Sequence, residues 1–158
     1  MNPQMIMTAV ITFLHDFFTA VWIGGLFVLL FSTLPGLKKA GLDMKVTQKT
    51  ALLIQKRMQP FVIISIIGII ITGIQLSIGG GRVNGFFSFS SRYTTILSIK
   101  HIFSVLMVLL AATRTVVLNK SKKSQSKKLG KISAACLVAN FTSGIIVLFL
   151  SAMLSVMP

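Results

Sequence analysis

Two pairs of ionisable residues lie inside or beside long apolar stretches of this 158-residue chain. His15 and Asp16 lie within FLHDFFTAVWIGGLFVLLF, and Lys100 and His101 lie near the start of a later apolar run. Ionisable side chains are costly inside a lipid bilayer, so they usually mark a functional site and have polar partners. Because neutral imidazole is the commonest protein ligand for transition metals, the pattern indicates metal chemistry.

The two histidines are the only ones in the sequence, and they are predicted to lie at the same depth. With helices that enter the membrane near Met7 and Tyr93, His15 and His101 each lie about 12 to 13 Å below the same membrane face. A histidine pair across a helix bundle is a common way to hold a six-coordinate b-type haem. The sequence therefore predicts one haem b with His15 and His101 as its axial ligands.

Residues near the predicted outer face supply further haem contacts. Arg82, Arg92 and Tyr93 are predicted to neutralise and hydrogen-bond the propionates, because guanidinium groups pair well with carboxylates. Trp22 is predicted to contribute, with neighbouring phenylalanines, to an aromatic wall against the macrocycle. Aromatic residues in a membrane span also pack or contact lipid, so the wall and simple packing both stay open.

Asp16 and Lys100 flank the two histidines and are predicted to form an ion pair. Asp16 is one residue, about 100° of helix, away from His15, so the two side chains point in different directions. Lys100 is displaced from His101 in the opposite sense. We therefore expect a structural ion pair between the first and third spans, with a proton relay to a bound substrate as the alternative.

Copper is the alternative metal. Thioether side chains near both chain termini are soft ligands suited to Cu(I), and they would act beside His15 or His101. These methionines are Met1, Met5, Met7, Met153 and Met157. The sequence contains no CxxC, HExxH or phosphate-binding loop motif, and its single Cys136 excludes an internal disulfide and an all-cysteine zinc or iron–sulfur site.

Composition places the chain in the membrane. Its mean hydropathy of +0.88 and its 54% of hydrophobic residues exceed the values of ordinary soluble domains. The net charge of +14 comes from 16 Lys and Arg residues against two acids. These charges collect between apolar runs, as in cytoplasmic membrane loops, so the lipid bilayer is the expected partner and nucleic acid is not.

Four apolar runs predict an all-α integral membrane protein with spans at about residues 5–34, 60–78, 93–118 and 132–156. Pro35 and Gly36 are predicted to end the first span, and Pro60 to lie in the first turn of the second, after a short interfacial helix. The predicted cytoplasmic loops, 36–58 and 119–131, each carry six basic residues. The positive-inside rule then places both termini outside the cytoplasm, in an up-down four-helix bundle of the plasma membrane.

Several short motifs carry a family resemblance. A set of residues between the end of the first basic segment and the third span resembles the copper-resistance D (CopD) membrane family. These residues are Arg57-Met-Gln-Pro-Phe, Thr72-Gly73, Tyr93-Thr94, Leu97, Lys100, and the pair Ala111 and Arg114. His15 with Trp22-Ile-Gly-Gly resembles the helix that precedes this unit, and also the opening helix of the small haem-associated protoporphyrinogen oxidase family. The resemblance implies a polytopic membrane protein concerned with copper uptake or tolerance, and Lys100-His101 is similar to the haem-associated relatives.

Three functional classes follow from these observations. The first is a redox-metal protein that transfers electrons to or from a quinone, a copper protein or another outer-face partner. The second is a protein that handles or transports Cu(I). The third is a non-catalytic subunit of a larger membrane oxidase or monooxygenase. The sequence predicts no catalytic residue, and it leaves the substrate and the homo- or hetero-oligomeric state open.

Overall fold

The computed structural model describes residues 2–41, 43–79, 88–124 and 127–157, which are helical with short connections and contain no strand. The elements are α1 (Pro3–Phe27), a π-helical segment (Val28–Thr33), α2 (Leu34–Lys39), α3 (Met44–Gly79), α4 (Arg92–Ser124) and α5 (Lys127–Ser155). The chain divides into two compact units, Met1–Val83 and Asn84–Pro158. We call them unit 1 and unit 2 and describe each by itself.

Four helical stretches within the described residues are long and apolar enough to cross a membrane. They are Pro3–Lys39, Lys49–Ile78, Arg92–Lys120 and Lys128–Ser155. Each contains about 28 residues or more, against the roughly 20 that span the hydrocarbon core. The predictions of an all-α fold and of four helices long and apolar enough to cross a membrane are thus confirmed for the described residues.

In unit 1, α1 packs against α3 in antiparallel fashion. Helix α1 begins at Asn2, whose side chain accepts a hydrogen bond from the Gln4 amide at 3.2 Å, and Pro3 follows in the first turn. Its buried face, together with the π-helical segment, forms the apolar core of the unit. That core consists of Trp22, Ile23, Leu26 and Leu29.

The first helical stretch does not end at Pro35 but continues to Lys39. A proline inside a helix cannot donate to the carbonyl four residues earlier, and its ring crowds that carbonyl. The wider π-helical turn over Val28–Thr33 immediately precedes Pro35 and accommodates it. Thr33 Oγ1 donates to the Val28 carbonyl at 3.2 Å, five residues back, as the wider turn allows.

The basic segments are mostly helical, although they were expected to be loops. Helix α3 begins at Met44 and contains Pro60 in its interior, so the expected interfacial helix and the second span form one helix. Helix α4 continues to Ser124, and α5 begins at Lys127. Neither 44–59 nor 119–124 contains Gly or Pro. Residues 44–59 are rich in Lys, Gln and Leu, and 119–124 contain three Lys, all of which favour helix.

Unit 2 is a helical hairpin of α4 and α5. Of the six buried positions described on α5, Ser143 adjoins the other five, which follow a heptad spacing: Ser133, Leu137, Asn140, Gly144 and Val147. Such a spacing keeps one narrow stripe of α5 against its neighbour, and small residues in the stripe allow close approach. Near the start of α4, Ser98 Oγ accepts a hydrogen bond from the backbone N–H of Ser88 at 3.0 Å and donates one to the backbone carbonyl of Ser88 at 2.9 Å.

Candidate functional site

His15 lies within the first apolar helix and reaches across to α3. The imidazole is half-buried, and its Nδ1 lies 2.9 Å from the hydroxyl oxygen of Thr72. Gly73 lies beside the ring, since a Cβ added there would be 3.6 Å from His15 Cε1. The residues from α3 thus contact the Nδ1 and Cε1 edge of the imidazole.

The hydrogen bonds of Thr72 bear on the tautomer of His15, because a neutral histidine ring nitrogen can be either a donor or an acceptor. The Thr72 hydroxyl lies 2.6 Å from the Gly68 carbonyl, a separation that requires the hydroxyl proton between the two oxygens. The hydroxyl has one proton only, so toward His15 it acts as the acceptor, and the imidazole carries its proton on Nδ1. In the neutral form of the ring, Nε2 is then the nitrogen with the lone pair.

An imidazole in this state is equipped to bind a metal or to accept a proton through Nε2. Metal-binding histidines almost always donate their other N–H to a fixed acceptor, which orients the ring and raises its basicity. Thr72 provides that acceptor here. In the sequence, Thr72-Gly73 carries only part of a family resemblance. The signal for this contact is a threonine four residues after Gly68 in a mostly apolar part of α3.

Asp16 and Trp22 occupy different surroundings on the same helix. Asp16 is exposed. Trp22 is 4% exposed, and its Nε1 has no hydrogen-bond partner among the described residues. The predicted contact of Trp22 with a macrocycle stays a prediction.

The other predicted site residues belong to unit 2 or lie outside the described residues. Arg92 is exposed at the start of α4, and Tyr93, Lys100 and His101 are half-buried along that helix. Arg82 lies outside the described residues. The predicted haem ligands His15 and His101, and the predicted ion pair of Asp16 with Lys100, join residues of separate units. Both pairings therefore stay predictions.

Unit 2 contains a buried polar set that sequence analysis did not assign. Its members are Thr94, Ser98 and Arg114 on α4, and Ser133, Asn140 and Ser143 on α5. Arg114 is 9% exposed within the span Arg92–Lys120. The hydrogen bonds described for Thr94 and Ser98 are local, to Ser91 and Ser88, and do not join α4 to α5.

The arrangement of potential ligands limits the kind of metal site. Among the described residues, no group of three or more His, Cys, Asp or Glu side chains could hold a metal ion. A tetrahedral site of three or four such ligands is therefore not formed within that part of the chain. Haem iron needs only one or two protein ligands, because the macrocycle supplies the other four.

No protein-family model matches the chain, and no curated protein and no solved structure is significantly similar to it. The resemblance to the copper-resistance D family stays a prediction from short motifs.

Proposed function

We propose that this chain is an integral membrane redox-metal protein in which His15 Nε2 is a ligand to the iron of a b-type haem. The observation that carries the proposal is the hydrogen bond from His15 Nδ1–H to Thr72, which leaves the lone pair on Nε2. A histidine in this state inside an apolar helix fits axial ligation of haem iron.

Phe13 and Phe17 lie two residues before and after His15, about 160° around α1 from it, so their rings do not flank its imidazole. They are 65% and 51% exposed on unit 1, and their ring centroids lie 6.2 Å apart in a stacked arrangement. The aromatic wall against the macrocycle therefore stays a prediction from the sequence. Haem would supply one-electron chemistry, and the chain would bind it, orient it and exclude water.

His101 is the proposed second axial ligand, on the sequence argument of equal depth alone. The proposed activity is electron transfer to or from a quinone, a copper protein or another partner at the outer face. The proposed propionate contacts are Arg82, Arg92 and Tyr93, on the same sequence argument.

The first test is an absorption spectrum of the detergent-purified protein, produced with added haem, before and after dithionite. We expect a Soret band that shifts on reduction, with sharp low-spin bands. Replacing His15 by alanine should abolish haem retention. Thr12→Ala is the matched control, because the Thr12 hydroxyl bonds only its own helix, to the Thr8 carbonyl at 2.9 Å.

Two results would overturn the haem proposal. A flat visible spectrum of the wild-type protein would exclude haem binding, and an unchanged spectrum of His15→Ala would exclude His15 as the ligand. His101→Ala tests the second ligand separately: conversion of the low-spin bands to a high-spin spectrum is expected if His101 binds the iron.

Copper handling is the second candidate. The thioether side chains of Met5 and Met7 are 65% and 63% exposed in the first turns of α1, on the same helix as His15. Exposed thioethers are accessible ligands for Cu(I). Stoichiometric copper in a colourless preparation would favour this function, whereas a colourless, metal-free protein that purifies only with larger subunits would favour an accessory role.

We also propose that the four membrane-crossing helices alternate in direction in the plasma membrane, with both termini outside the cytoplasm. Single cysteines introduced at Asn2, Gly41, Ser90 and Ser155 in a Cys136→Ala background provide the test. A membrane-impermeant maleimide should label positions 2, 90 and 155 in intact cells, because the basic segments stay inside. Position 41 should react only after permeabilisation. Labelling of position 41 in intact cells would indicate the opposite orientation and contradict this proposal.

A further inference from the structure

We propose that Thr72 is a positioning residue that fixes the tautomer and the ring orientation of His15. The inference deepens the proposed function, and its metal-binding consequence rests on that function. The effect of Thr72 on the His15 tautomer does not depend on that function, because the tautomer is a property of the metal-free protein and can be measured there.

The Thr72 hydroxyl has little freedom to change its role. The side chain is 5% exposed, so water does not compete for the hydroxyl. Its proton is held by the Gly68 carbonyl at 2.6 Å, and the Ile69 carbonyl lies 3.3 Å away on the same side. Turning the proton toward His15 would leave two oxygens 2.6 Å apart without a proton between them, which is repulsive. The hydroxyl therefore stays an acceptor toward the imidazole.

Threonine suits this role better than a flexible side chain. Its branched Cβ restricts the first side-chain torsion, and in a helix its hydroxyl commonly bonds a carbonyl three or four residues earlier. Here that local bond fixes the acceptor oxygen in front of His15 Nδ1. Gly73 places no side chain against the Cε1 edge, and even an added Cβ would lie at an ordinary contact distance of 3.6 Å, so the ring is not compressed there.

Replacing Thr72 by valine tests the inference, because valine keeps the branched shape and removes the acceptor. His15 Nδ1–H then loses its partner in a half-buried site, and the imidazole is expected to redistribute its proton to Nε2. Under the proposed function, haem affinity should fall by about 10- to 100-fold, as for other outer-shell partners of metal ligands. Thr72→Ser keeps a hydroxyl and should restore both properties.

Ser65→Ala is the matched control. Ser65 is 1% exposed and lies two helical turns before Thr72 on the same face of α3. At 1.5 Å per residue it is about 10 Å away along the helix axis. Its replacement also removes a buried hydroxyl from α3, so it measures any general effect on helix packing, and it should leave the His15 tautomer and the haem affinity unchanged.

The direct readout is the ¹⁵N spectrum of histidine-labelled, metal-free protein in micelles. The sequence contains two histidines, so His101→Gln leaves the His15 signals alone. If that variant does not fold, the two-histidine spectra of wild type and Thr72→Val are compared. We expect Nδ1–H in the wild type, in Thr72→Ser and in Ser65→Ala, and a shift toward Nε2–H in Thr72→Val.

The outcomes separate the two proposals. An Nε2–H tautomer in the wild type, or an unchanged tautomer in Thr72→Val, would overturn the role of Thr72 whether or not haem binds. A tautomer shift in Thr72→Val in a protein that never retains haem would support the positioning role and contradict the haem proposal.

Discussion

Replacement of Gly68 by alanine is expected to destabilise unit 1 by about 1–3 kcal/mol, the usual cost of overpacking a filled interface. Gly68 is buried, and a Cβ added there would overlap the ring atoms of Phe18 on α1. In an open helical position the same change stabilises by about 0.5–1 kcal/mol. The sign of the effect is therefore diagnostic, and unfolding by SDS titration in mixed micelles measures it.

Two companion variants make the Gly68 prediction specific. Gly24→Ala is the matched control, because a Cβ at position 24 meets no described atom within 4 Å, and it should be neutral or stabilising. Phe18→Leu removes the ring and should recover most of the stability lost in Gly68→Ala. If Gly68→Ala proves as stable as Gly24→Ala, the close approach of α1 to α3 at this level is wrong.

The membrane-crossing helices were predictable because their signal is carried by residue type over many positions. Uncharged apolar runs such as FVIISIIGIIITGI are longer than those in the core helices of soluble proteins. In lipid, a helix satisfies all of its backbone groups by itself, so an apolar run of this length has few alternatives.

The prolines misled the prediction of helix ends because their effect depends on context. A proline in a helix interior costs about 3 kcal/mol by itself. Around Pro35 a wider turn accommodates the ring. Pro60 lies inside α3, which has strong helix formers before the proline (Gln55, Lys56, Arg57, Met58, Gln59) and a long apolar run after it. Local rules describe that cost but not the neighbouring residues that offset it.

The candidate site was only partly predictable for a similar reason. His15 was identified by its residue type, since an ionisable group in an apolar run is unusual. Its partner Thr72 is 57 residues away, and the contact depends on the register of α1 against α3. That register is set by side-chain packing such as that of Phe18 against Gly68. The periodicity of apolar residues along a helix does not indicate which residues of two helices pack together.

In unit 2, Leu137→Ala is expected to cost about 2–5 kcal/mol, the range for deleting a fully buried leucine side chain. Leu137 is 0% exposed in the buried stripe of α5, where no solvent or lipid can fill the space it leaves. Val138→Ala is the matched control, because Val138 is 48% exposed on the adjacent position, and its effect should stay within about 0.5 kcal/mol. SDS titration again supplies the free energy of unfolding.

Asn140→Leu should have the opposite sign to Leu137→Ala, although it changes a residue one turn away in the same stripe. Asn140 is 1% exposed, and its Oδ1 has no hydrogen-bond partner among the described residues. A buried acceptor without a donor costs about 1–3 kcal/mol, so an apolar side chain of similar shape relieves that cost, offset in part by the larger volume of leucine. We therefore expect a neutral or stabilised hairpin. A loss as large as that of Leu137→Ala would show that the Asn140 amide makes a structural hydrogen bond, and the buried polar set of unit 2 would then hold the hairpin together through that bond.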